Sequence, residues 1–150
     1  MKSLKNIRFI TWFNFLLDFR PYSAIAIIYF AKVTGSYALG LTVFSIASIS
    51  GSIFEVPTGI WSDRVGRKNT MIAGALASVA SIILYAIGGN FFILALGAVL
   101  TGLSQSLFSG NNNALLYDTL RESNKEEEFG DVLGKTSSMF QLALGVSAVI

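Results

Sequence analysis

The chain has no cysteine, no histidine and only two prolines, and Asp, Glu, Lys and Arg together make up just 13% of its 150 residues. Each shortage excludes something. Without cysteine there is no disulfide, no thiol nucleophile and no thiolate metal site. Without histidine the usual near-neutral proton carrier is missing, and so is the commonest metal ligand. Proton chemistry therefore falls to carboxylates. No convergent set of nucleophile, base and metal ligands remains, so the chain does not read as an enzyme and implies no cofactor and no metal. The net charge of +2 is small and the cations form no stripe, so nucleic acid is not an expected partner. Soluble domains carry roughly 25% charged residues. Here the scarcity leaves long uncharged runs, and 53% of the chain is hydrophobic, with a mean hydropathy of +0.61. The implied surroundings are a lipid bilayer.

A membrane-crossing helix needs ~20 mainly apolar residues. Five segments meet or approach that length: residues 8–30, 37–61, 70–87, 91–120 and 132–150. They predict an all-α polytopic membrane protein with about five transmembrane helices. The first is interrupted by Asp18, Arg20 and Pro21, and the chain stops inside the fifth. The basic start is not read as a signal peptide, because the apolar run behind it carries Asp18 and Arg20 and has no small-residue cleavage site. Lys2, Lys5, Arg8, Arg64, Arg67, Lys68, Arg121, Lys125 and Lys135 fall on one side if the helices alternate, and only Lys32 falls on the other. That asymmetry predicts a cytoplasmic N-terminus. Small residues recur four apart in the pairs Ala47/Gly51 and Ser48/Ser52, and in the sets Ala73, Ala77, Ser81 and Gly102, Ser106, Gly110. Such stripes let helix backbones approach one another. In the polar stretch 121–128, Ser123 and Glu126 fit a capping box at the start of the fifth helix.

Charges inside apolar segments are the first candidates for function. Asp18 lies about ten residues into the first segment, near the midplane at ~1.5 Å per residue. A charge there costs ~2.5–3.5 kcal/mol on insertion scales and so faces a cavity or a partner. Asn14, Asp18 and Tyr22 are four apart and share a face on one continuous helix. Arg20 points elsewhere, so each charge is expected to seek a partner on another helix. Asp18 reads either as a protonatable coupling or substrate-binding residue, with Arg20 as anion partner, or with Arg20 as a member of fixed ion pairs. Glu55, expected to be buried, precedes Pro57 in Phe54-Glu55-Val56-Pro57-Thr58-Gly59. It reads as a gate or hinge element, or as half of an ion pair with Arg64 or Arg67. Of Asn111, Asn112 and Asn113, at least one should line the bundle interior, because an amide facing lipid is costly. Asn112 stands as the candidate contact, with interhelical glue as the alternative role.

The link Gly59-Ile60-Trp61-Ser62-Asp63-Arg64-Val65-Gly66-Arg67-Lys68 crowds charge between two long apolar runs. Gly59 would admit a neighbouring helix, and Asp63 would cap the turn. Gly66 would take a positive φ. Arg67 and Lys68 obey the positive-inside rule. A basic loop alone would explain the cations but not their spacing. The segment resembles, residue for residue, the loop signature G-x-x-x-D-R-x-G-R-[RK] of the major facilitator superfamily. The resemblance covers nearly all of the chain. Phe54–Gly59 together with Ser109-Gly-Asn-Asn-Asn-Ala-Leu-Leu-Tyr-Asp118 is also similar to a bacterial subgroup of unassigned transporters.

The resemblance implies the first part of an N-terminal six-helix half of a secondary transporter in the cell membrane. A small-molecule substrate would bind at the midplane between two halves whose rocking alternates access, with proton coupling as the energy source. The C-terminal half would lie outside this chain. Gly59, Asp63, Arg64, Gly66, Arg67 and Lys68 would form a conformational latch that helps hold the outward-facing state, and Asp118 on the fourth helix is the acid placed to pair with Arg67. The drug-antiporter signature G-x-x-x-G-P-x-x-G-G of the fifth helix is not seen: with Gly145 first, Val149 and Ile150 occupy the Gly-Pro positions. Two rival readings differ in class. One is a non-transporting membrane protein that scaffolds other membrane subunits, and the other is a small multidrug-type homo-oligomer. The latter would not need the signature loop.

Overall fold

A computed structural model describes residues 2–109, 111–122 and 124–149. Among them every regular element is helical. The elements are α1 (Lys2–Asp18), α2 (Ser23–Thr34), α3 (Tyr37–Val65), α4 (Arg67–Ile87), α5 (Phe91–Phe108), α6 (Asn111–Arg121), a 3₁₀ turn at Glu126–Glu128, and α7 (Phe129–Val149). Among the described residues three stretches are long and apolar enough to cross a membrane: Tyr37–Val65, Arg67–Ile87 and, taken through its break, Phe91–Arg121. The expected first span, residues 8–30, is divided between α1 and α2. The second runs on to Val65, the third starts at Arg67, and the fifth starts at Phe129.

The break in the first span lies at Phe19–Tyr22, where proline acts as expected. Pro21 has no N–H to donate and pushes Arg20 out of helical geometry. The freed groups find other partners. Arg20 Nε donates to the Leu17 carbonyl at 3.1 Å, and the Arg20 backbone N–H donates to Ser147 Oγ at 2.9 Å. The break between α5 and α6 was not expected within residues 91–120. In a continuous helix the Leu107 carbonyl would accept the backbone N–H of Asn111. Instead the Asn111 side chain takes that carbonyl, Nδ2 to O at 3.0 Å. The Asn111 backbone N–H turns to the Ser109 carbonyl at 2.8 Å. An Asn side chain that competes with the backbone has ended a helix.

The chain forms two compact units. In the unit Ala26–Asn112, α5 packs against both α3 and α4. Helices α3 and α5 run parallel, and α4 runs opposite to them. The parallel crossing is a backbone contact: a Cβ on Gly102 would stand 2.5 Å from the Ala47 oxygen and the Gly51 nitrogen. The stripe Ala47/Gly51 therefore packs. Its neighbour Ser48/Ser52 does not, because both serines are exposed and donate to their own helix. Beside the crossing, Phe30, Val43, Ala47, Leu94 and Ala98 form the core, with Tyr85 5.0 Å from Phe30 between ring centres. Between α4 and α5 the ties are polar. Ser81 Oγ donates to the Gly97 carbonyl at 2.8 Å and Ser104 Oγ to the Gly74 carbonyl at 2.8 Å. Replacing Ser104 with Ala leaves the Gly74 carbonyl without that donor and should cost about 1 kcal/mol. Ser81→Ala should cost less, because Thr101 Oγ1 also donates to the Gly97 carbonyl. Thermal unfolding of the two variants in detergent checks the order.

In the other unit, drawn from residues before and after this one, α1 packs on α7. Val132, Thr136, Ala143 and Ser147 lie buried on α7, at the four- and seven-residue spacing of one helix face. Leu116, Leu120 and Val132 form a small core, with Tyr117 edge-on to Phe129 at 5.4 Å. Of the expected capping box, Ser123 lies outside the described residues, as do Gly110 of the third stripe and Ile150. The 3₁₀ turn has Lys125 at its N-cap and no side-chain cap bond.

Candidate functional site

The signature segment folds as helix, one glycine, helix. Gly66 alone joins α3 to α4, with φ 90° and ψ 147°. Side-chain-bearing residues rarely take that φ, so the position calls for glycine. The junction is closed by hydrogen bonds on both sides: Gly66 N–H donates to the Ser62 carbonyl at 2.9 Å, and the Thr70 N–H donates to the Gly66 carbonyl at 3.1 Å.

One expected role does not survive this geometry. Asp63 does not cap the turn, because it lies inside the last turn of α3, and α4 begins behind Gly66 without a side-chain cap bond. Around Gly59 the described residues leave open space: a Cβ there would have nothing within 4 Å. Asp63, Arg64 and Lys68 are exposed, and Arg67 is half-buried. Arg67 and Lys68 occupy the first turn of α4. The helix dipole repels cations there by ~0.3–1 kcal/mol each. Their placement does not serve the helix.

Above the junction, α3 meets α5 and α6 along a polar seam. Thr58 Oγ1 donates to the Ser106 carbonyl at 3.3 Å. Ser109 Oγ donates to Glu55 Oε1 at 3.2 Å. Ser62 Oγ donates to Asn111 Oδ1. Glu55, Thr58 and Ser62 are spaced three and four apart, so one face of α3 grips the region of the α5–α6 break. Glu55 is exposed rather than buried, and the partner seen for it is Ser109 rather than a cation. Asn111 supplies the interhelical tie, while Asn112 is half-buried and Asn113 exposed. Sequence reasoning singled out neither Thr58 nor Ser62. Their spacing with Glu55 on a membrane-length helix was the available signal.

A second face of α3 is polar and open. Ser45, Ser48, Ser52, Glu55, Gly59 and Asp63 are all exposed, and at ~100° per residue they fall within an arc of roughly 80°. Adjoining it, Ile49, Ile53, Val56 and Ile60 make an exposed apolar face. The serines donate to the carbonyls four residues back, at 3.4 Å for Ser45 and 3.2 Å for Ser48 and Ser52.

In the other unit Asp18 is the last residue of α1, half-buried like Arg20. Arg20 stands beyond the helix end, in the break, so the helical angle that was expected to point it away from Asp18 does not apply. Arg20 also binds its own helix end, through Nε to the Leu17 carbonyl. Asn14 is buried on α1, whereas Tyr22 lies beyond the helix end and is exposed. The face expected to unite Asn14, Asp18 and Tyr22 stops at Asp18.

Comparison with known proteins bears on all of these elements. The inner membrane transport protein YajR of Escherichia coli (strain K12) is 25% identical over 112 residues, which is 75% of this chain and 24% of YajR. The quinolone resistance protein NorA of Staphylococcus aureus (strain MRSA252) is 30% identical over 114 residues, 76% of this chain and 29% of NorA. The chain thus spans less than a third of the length of these relatives. No solved structure matches it significantly. The family description Major Facilitator Superfamily matches residues 8–150, from the first apolar helix through the signature junction to α7, and the chain belongs to that family of multi-pass, non-enzymatic membrane transport proteins.

Proposed function

We propose that this chain carries the first helices of a proton-coupled secondary transporter, which moves a small solute across the cell membrane by alternating access. It works against a second half of the kind its longer relatives have room for. The observation that carries this reading is the open polar face of α3. Hydroxyls, carboxylates and a glycine along a membrane-crossing helix do not suit lipid. They suit a water-filled path or an opposing helix. The face runs about 27 Å from Ser45 to Asp63 at ~1.5 Å per residue, close to the depth of the hydrocarbon.

In this proposal the N-terminus is cytoplasmic and the α3–α4 junction forms the latch. Gly66 sets its shape, Gly59 leaves room for a helix of the second half, and Asp63, Arg64, Arg67 and Lys68 supply charge that Asp118 helps to balance. Asp18 is the coupling carboxylate, with Arg20 beside it and Asn14 behind. Glu55 and Asn112 are further candidates for solute contact.

The test compares two neighbouring positions in the full-length protein. Ser52 lies on the polar face and Ile53 on the apolar one, and both are exposed. With each in turn replaced by cysteine, a membrane-impermeant maleimide should label Ser52→Cys at least about tenfold faster than Ile53→Cys, because a thiol in hydrocarbon does not ionise. Equal, slow labelling at both positions would leave the face in lipid and remove the path.

A further inference from the structure

We infer that Ser62 and Asn111 are positioning residues of the latch. Their hydrogen bond ties the signature end of α3 to the residue at the α5–α6 break, and so fixes the helix end from which Asp63 and Arg64 act. The inference rests on the latch reading above and adds residues that neither the signature nor the family description singles out.

The two side chains are 5% and 7% exposed, so the bond between them is dry. Both ends of the Asn111 amide are committed. Oδ1 accepts from Ser62 Oγ, and Nδ2 donates to the Leu107 carbonyl. That second bond replaces the one the backbone would have made in a continuous helix. The interruption of α5 and the tie to α3 are therefore one feature, made by one side chain. A Ser on a membrane helix ordinarily donates to the carbonyl four residues back, as Ser45, Ser48 and Ser52 do. Ser62 gives its proton to α6 instead.

Place in the sequence supplies the rest. Ser62 immediately precedes Asp63 of the signature. Adhesion alone would not need this chemistry, because small and apolar side chains already pack these helices. A buried pair in which both the amide oxygen and the amide nitrogen are bonded selects one register.

The experiment uses the full-length protein with Ser52→Cys as its only reactive cysteine, labelled with impermeant maleimide from the membrane face that bears Arg67. Ser62→Ala and Asn111→Leu should each raise the labelling rate about fivefold, the population change that one lost hydrogen bond produces. The double variant should do no more than either single one, since both remove the same bond. Ser62→Thr keeps the hydroxyl and should label as the parent does. Arg67→Ala is the control for the latch itself and should raise the rate as well. If Arg67→Ala raises labelling while Ser62→Ala lowers only the melting temperature, the latch stands and the positioning role is overturned. If Arg67→Ala changes nothing, the latch falls and takes this inference with it. Should Asn111→Leu not accumulate, Ser62→Ala decides alone, because it removes a single oxygen.

Discussion

Gly102→Ala should be among the most damaging single methyl groups that can be added to this chain, and Gly51→Ala, directly across the same crossing, should be tolerated. A Cβ on Gly102 would stand 2.5 Å from the Ala47 oxygen, 2.5 Å from the Gly51 nitrogen and 2.7 Å from Ser50 Cβ. Two of the three are main-chain atoms and cannot rotate away, so α3 and α5 would have to separate. Overpacking typically costs ~1–3 kcal/mol, and a backbone clash belongs at or above the top of that range. Alanine gains about 1 kcal/mol over glycine in a helix, which does not offset it. At Gly51 the nearest atom to an added Cβ is 3.6 Å away, an ordinary contact, so the propensity gain stands unopposed. Size-exclusion profiles of detergent-solubilised protein after a temperature ramp should show Gly102→Ala losing its monodisperse peak well below the parent, with Gly51→Ala at or above it. Equal melting of the two variants would mean that the crossing is looser than 2.5 Å implies.

That asymmetry also shows where sequence reasoning ran out. Long uncharged runs made α3, α4 and the Phe91–Arg121 stretch legible, because lipid demands length and apolarity whatever the partner. Gly66 was legible because a tight helix–helix turn requires a positive φ. The pairs Ala47/Gly51 and Ser48/Ser52 have the same spacing and both suit close packing. A serine can donate to a carbonyl of its own helix as readily as pack against a neighbour, so nothing local marks Ser48 and Ser52 as the pair left open. Pro21 announced a disturbance, but the helix ends three residues earlier, at Asp18, which removes Tyr22 from the face of Asn14 and Asp18. The α5–α6 break was hidden because the apolar stretch Ala114–Tyr117 continues the pattern beyond it. It depends on one amide choosing the Leu107 carbonyl. Glu55 was expected to be buried near a cation, whereas its hydroxyl partner, Ser109, comes from a helix end that the sequence had not predicted. The polar seam is a property of two helices, and a single sequence shows each helix alone.

Reversing either charge of the proposed Arg67–Asp118 pair should disable the latch without weakening the fold, and exchanging the two should restore it. The helix ends make this separation possible. Arg67 opens α4, where the dipole favours an acid, and Asp118 lies in the last turn of α6, which ends at Arg121, where the dipole favours a base. Arg67→Asp and Asp118→Arg therefore each place a charge where its own helix prefers it, by ~0.3–1 kcal/mol. A folding defect is not expected from either change, so a functional loss is attributable to the pair. Charge-assisted hydrogen bonds contribute ~1.5–3 kcal/mol, so each single reversal should shift the conformational balance by about tenfold or more. Labelling of the Ser52→Cys thiol from the face bearing Arg67 reads that shift, and the melting temperature should hold or rise. In the double variant the bond is remade with its polarity reversed, and the labelling rate should fall back toward the parent value. A double variant that labels as fast as either single one, with its melting temperature intact, would remove Asp118 as the partner of Arg67. The cations at the head of α4 would then have to be balanced by an acid elsewhere in the full-length protein.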